Sequence, residues 1–81
     1  KDKMTPPHTT VFPNPAKSHF TVMAYGEKQI ELVDITGKVV ATQQFTNRTT
    51  ISTQDLNSGI YLARIKDQNT GEIQTVKVII E

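Results

Sequence analysis

The sequence predicts an all-β, antiparallel sandwich or barrel, and three observations carry that prediction. From Val11 onward, short runs rich in Val, Ile, Thr, Phe and Tyr recur roughly every eight to twelve residues, separated by Gly, Asn, Asp and Pro; this is the rhythm of short strands joined by tight turns. β-Branched residues dominate, and no segment repeats its apolar residues at helical spacing over three turns. The chain has 81 residues, enough for one domain with one small core.

Seven strands are expected, in order. Thr10–Phe12 is the first, stopped by Pro13-Asn14-Pro15 because proline cannot donate to a ladder. His19–Tyr25 follows, with Phe20, Val22 and Ala24 on one face and His19, Thr21 and Met23 on the other. Gln29–Asp34 directs Ile30 and Leu32 inward. Lys38–Phe45 turns either Val39 or Val40 inward, since a one-residue slip exchanges the faces. Thr49–Ser52 centres on Ile51. Ile60–Lys66, with Tyr61, Ala63 and Ile65 facing the core, and Ile73–Ile80 close the chain, the last alternating Val76, Val78 and Ile80 against Thr75, Lys77 and Ile79. Between the fifth and sixth strands, Thr53-Gln54-Asp55-Leu56 suits one helical turn capped by Thr53. Residues 1–10, with Pro6-Pro7, read as an extended linker from something upstream, ahead of a folded domain over residues 11–81.

Composition removes several functions. Nine basic and eight acidic residues leave a charge of +1, scattered without a basic face, so nucleic acid is not an expected partner. There is no cysteine, hence no disulfide framework or thiolate metal site. No apolar run approaches the roughly 20 residues that cross a bilayer as a helix. His8 and His19 lack a third ligand at a fitting spacing, so no metal or other cofactor is expected. Ser18-His19 beside a distant aspartate is not a triad. The acids Glu27, Glu31, Asp34, Asp55, Asp67, Glu72 and Glu81 are scattered over turns and strands, without the facing pair that hydrolysis needs. A non-enzymatic domain is expected, with any catalysis, such as proteolysis, left to whatever lies upstream.

Three motifs remain. In Asp34-Ile35-Thr36-Gly37-Lys38 the aspartate can accept backbone N–H groups two residues on, and Gly37 can take the positive φ that closes a bulged hairpin; a single acid is too few for a calcium loop. Leu56-Asn57-Ser58-Gly59-Ile60-Tyr61 suits a tyrosine corner. There Leu56 plugs the core, Gly59 lets the chain cross, and the Tyr61 hydroxyl bonds back near Asn57. Val11-Phe12-Pro13-Asn14-Pro15-Ala16 is a stiff turn, since the residue before each proline is also confined.

These motifs, in this order, resemble the C-terminal sorting domain of the type IX secretion system. Val11–Ala16 is similar to that family's opening motif, Ile30–Val40 to its central hairpin, Leu56–Ile65 to its tyrosine strand, and Thr75–Glu81 to its closing strand. The resemblance covers residues 11–81. It implies an immunoglobulin-like antiparallel β-sandwich of about seven strands in Greek-key order. It also implies a secreted protein carried through the periplasm and across the outer membrane to the cell surface or beyond. The implied partners are the translocon and shuttle proteins of the outer membrane, with a sortase that removes the domain at the upstream linker. The recognition residues carried over are Gly37, Lys38, Gly59 and the closing Lys77, Val78, Ile79, Ile80 and Glu81, where the family commonly ends on a basic residue. Pro13, Asn14, Pro15, Asp34, Leu56 and Tyr61 carry the supporting structure. An accessory fibronectin-like or carbohydrate-binding module of a secreted enzyme is the competing expectation, which an exposed coplanar aromatic pair would favour.

Overall fold

The computed structural model of the protein describes residues 9–81. Most of the expected linker, residues 1–8, lies outside the described residues, and so does His8. Five antiparallel strands form: β1 (Thr10–Phe12), β2 (His19–Val33), β3 (Val39–Ser52), β4 (Gly59–Asp67) and β5 (Ile73–Ile80). Their ladder order is β1-β2-β4-β5, with β3 on the other side of β2.

Five strands replace the expected seven because two of the expected breaks are not breaks. The second and third expected strands run together as β2, and the fourth and fifth as β3. The pairing steps from Ala24↔Asn47 to Glu27↔Thr46, so Tyr25 and Gly26 bulge out while the ladder continues on both sides. Gly26 takes φ 97° and Asn47 φ 68°, a conformation that Gly tolerates freely and Asn better than most residues. The Gly26 N–H donates to Asn47 Oδ1 at 2.8 Å, which fastens the bulge. A bulge bends a strand without ending it; turn-forming residues here mark a bend.

The bent ladder gathers both of its halves around one core. Phe20, Val22 and Ala24 from the first half of β2 join Ile30 and Leu32 from the second, with Ile51, Tyr61, Ala63, Ile65, Val78 and Ile80. Each is the residue that strict alternation turns inward. In β3 a second irregularity, between Leu32/Ala41 and Val33/Val39, leaves Val40 unpaired. Val40 packs on the core while Val39 is exposed, which resolves the expected ambiguity.

The segment after β1 closes the structure. Ala16 is fully buried and forms a parallel bridge to Ile80, its N–H donating to the Ile79 carbonyl at 2.7 Å and its carbonyl accepting the Glu81 N–H at 2.8 Å. The expected helical turn at Thr53–Leu56 is a single bonded turn, Leu56 N–H to Thr53 O at 3.0 Å. The Thr53 hydroxyl is not a cap: it donates to the Lys17 carbonyl at 3.0 Å and ties this turn to the strap, residues 13–18 between β1 and β2.

Candidate functional site

Register places the sequence motifs at one end of the sheet. Val33 at the end of β2 pairs with Val39 on β3 and Leu62 on β4, and Leu62 pairs with Lys77 on β5. Ile60 pairs with Ile79, and Gly59 with Ile80. The Asp34–Lys38 turn, the start of β4 and the last residues of β5 therefore share one edge of the molecule.

Local chemistry fixes each part. Asp34 Oδ1 accepts the Thr36 N–H at 2.9 Å, the Thr36 hydroxyl at 2.6 Å and the Lys38 N–H at 3.0 Å. These bonds, the Thr36 hydroxyl foremost, hold the carboxyl below the usual carboxylate range. Gly37, at φ 91°, lets the turn close. Tyr61 buries its ring and donates its hydroxyl to the Asn57 carbonyl at 2.7 Å, the expected corner, with Leu56 packed against the core. Asn14 bridges the strap to the closing strand: its side-chain amide donates to the Lys77 carbonyl at 2.8 Å, and its Oδ1 accepts the Ile79 N–H at 3.0 Å. The outer edge of β5 from Lys77 to Glu81 is thus occupied by Asn14 and Ala16, which leaves an added strand no room there unless the strap moves.

The residues expected to carry recognition divide by face. Val78 and Ile80 are buried in the core. Lys77 and Ile79 point outward on the opposite face of β5, beside Leu62 and Ile60. Val39, Leu62, Ile60 and Ile79 each leave between a third and a half of their surface exposed, and Ile35 on the turn is 82% exposed. Val33 lies between Val39 and Leu62, so the outer face carries a continuous apolar row at this end. Sequence reading missed the row, because Val33, Val39, Ile60 and Leu62 come from three strands and only pairing aligns them. Singly exposed apolar residues are ordinary; a contiguous group rimmed by polar residues marks an interaction surface. Glu31 and Arg64, 3.8 Å apart, form that rim farther along the same face.

Among the described residues, shallow hollows flank this region. One of about 230 Å³ is lined by Gln29, Glu31, Arg64, Lys66 and Ile73, the other of about 250 Å³ by residues including Glu27, Lys28 and Phe45. Each holds a single carboxylate. The exposed aromatics Phe12 and Tyr25 do not form one platform, since Phe12 pairs with Thr21, and four residues along a strand is roughly 13 Å.

A profile of the secretion system C-terminal sorting domain family matches residues 10–81. Among solved structures, the chain is similar to part of PorZ, described as an essential bacterial surface component of the type IX secretion system of Porphyromonas gingivalis. The TM-score is 0.74 at 16% identity, over 90% of this chain and 11% of that one. The chain thus spans about a tenth of that protein, and the likeness is one of fold. No curated protein matches.

Proposed function

The chain belongs to the secretion system C-terminal sorting domain family, and we propose that the type IX machinery reads it at the end of the sheet where its motifs meet. A domain of this family marks a cargo protein for secretion across the outer membrane. The finer reading is that Gly37, Lys38, Gly59 and Lys77–Glu81 act in two ways. Gly37, Gly59, Val78 and Ile80 build the end of the sheet, while Lys38, Lys77, Ile79 and the terminal Glu81 are presented on it. Recognition proceeds without catalysis by the domain. Translocon and shuttle proteins are the readers, a sortase cuts the upstream linker, and the cargo passes from the periplasm to the cell surface. The same reading takes the sheet bent at Gly26 and Asn47 as the two halves of an immunoglobulin-like Greek-key sandwich.

One observation supports this reading above the others: the exposed apolar row Val39, Leu62, Ile60 and Ile79, which the core does not need, lies where the motif segments converge. A reporter fused ahead of the domain tests it in cells with a working type IX system. Ile60→Ser with Leu62→Ser removes half of the row and no buried side chain. Export is expected to fall at least tenfold while the isolated variant keeps a dispersed amide spectrum. Undiminished export by that folded variant rejects this surface as the address.

A further inference from the structure

We propose that the outer edge of β3, from Val39 to Asn47, is a second docking site, which takes an extended strand of a partner chain with acidic residues at its two ends. Among the described residues β3 pairs only with β2, so one side of its backbone presents alternating N–H and C=O groups to solvent. Those groups are complementary to one kind of occupant, another strand.

The other free edges are shorter or guarded, the open part of β5 being the four residues Ile73–Val76. β1 has three residues and runs into Pro13. β5 carries Lys77, and its outer edge is bonded by Asn14 and Ala16 from Lys77 to the end. Proteins ordinarily blunt a free edge with prolines, charges or a covering segment. Val39–Asn47 has none of these: nine residues, Val-Val-Ala-Thr-Gln-Gln-Phe-Thr-Asn, without charge, proline or glycine. Ala41 to Thr46 also pair with β2 in unbroken register, between the irregularities at Val40 and Asn47, so this part of the edge is straight enough to template a neighbour.

Charge selects the partner. Lys38 and Arg48 flank the neutral stretch and lie equally far from Gln43 at its centre. If a second copy paired antiparallel through this segment, Lys38 would face Arg48; in parallel, each cation would face its own kind. Like charges opposite one another oppose pairing, so both arrangements of a second copy are disfavoured. An incoming strand with acids at both ends meets a cation at each.

The site begins beside the end of the sheet, at Lys38 and Val39, and runs away from it along β3; it is read on the purified domain without an export assay. Amide exchange locates the fast-exchanging N–H groups of Ala41–Thr46 in the free domain. A nine-residue peptide of alternating Thr and Val between two glutamates is then titrated in. It is expected to protect those amides. The same peptide between two lysines should bind at least tenfold more weakly, and one N-methylated along its pairing edge should protect nothing. The proposal is overturned by absent protection, by equal binding of the lysine peptide, or by protection that rises with protein concentration without peptide, which would assign the edge to a second copy.

Discussion

Asn14→Ala is the most informative single perturbation of the fold. The Asn14 amide makes two bonds to the closing strand, one to the Lys77 carbonyl at 2.8 Å and one from the Ile79 N–H at 3.0 Å. An intramolecular hydrogen bond contributes about 0.5–1.5 kcal/mol net, and an exposed one sits at the low end because water replaces it. Two together give about 1–2 kcal/mol. The strap also keeps its second attachment through Ala16, so the fold survives. For a domain of this size each kcal/mol lowers the melting temperature by about 4–8 °C. The expected drop is therefore about 4–16 °C, read by circular dichroism, together with exchange of the Ile79 amide accelerated more than that of the core amides of β2. An unchanged melting temperature with Ile79 still protected would show that Asn14 does not hold the strap to β5, and that the edge of β5 is more open than described.

Tyr61→Phe, which leaves the Asn57 carbonyl without its partner, should cost about 1 kcal/mol in a urea titration; an unmoved midpoint would remove the corner from the account. Gly37→Ala forces a Cβ into φ 91° and should destabilise by about 1 kcal/mol, although the space around it is open. Asp67 is held below the usual carboxylate range, first by the Lys28 ammonium at 2.7 Å and then by the Thr70 and Asn69 N–H groups. Because its folded pKa is depressed, its contribution is complete above the ordinary value of 3.8 and is lost as pH falls through the folded one. Asp67→Asn should therefore lose less stability than the native chain between about pH 5 and about pH 2. Removing Lys77–Glu81 takes away buried Val78 and Ile80 and the strap's anchors, so the truncated domain should be unfolded by amide spectroscopy.

What the sequence made legible was local. Alternation in His19–Tyr25, Ile60–Lys66 and Ile73–Ile80 placed every inward residue correctly, because each of those segments meets one core and period two leaves no choice. The Asp34 turn and the Tyr61 corner were legible for the same reason: their partners lie within four residues. Continuity across Gly26 and Asn47 was not legible, since a bulge and a turn use the same residues and only the opposing strand distinguishes them. Long-range register was also hidden, and with it the apolar row and the grip of Asn14 on β5, a contact across 65 positions to Ile79. In the closing strand the edge is taken by Asn14 and Ala16, and the outward face is what the fold leaves available.

Contact in living cells tests the central claim most directly. A photo-crosslinking residue placed in turn at Leu62, Ile79, Met23 and Phe12, all exposed, compares the end of the sheet with the outward residues of β1 and the first half of β2 on one exported fusion. Crosslinks to a component of the secretion machinery from Leu62 and Ile79, and none from Met23 and Phe12, are the predicted result. Crosslinks from Met23 or Phe12 alone would contradict it and move the address to β1 and the first half of β2.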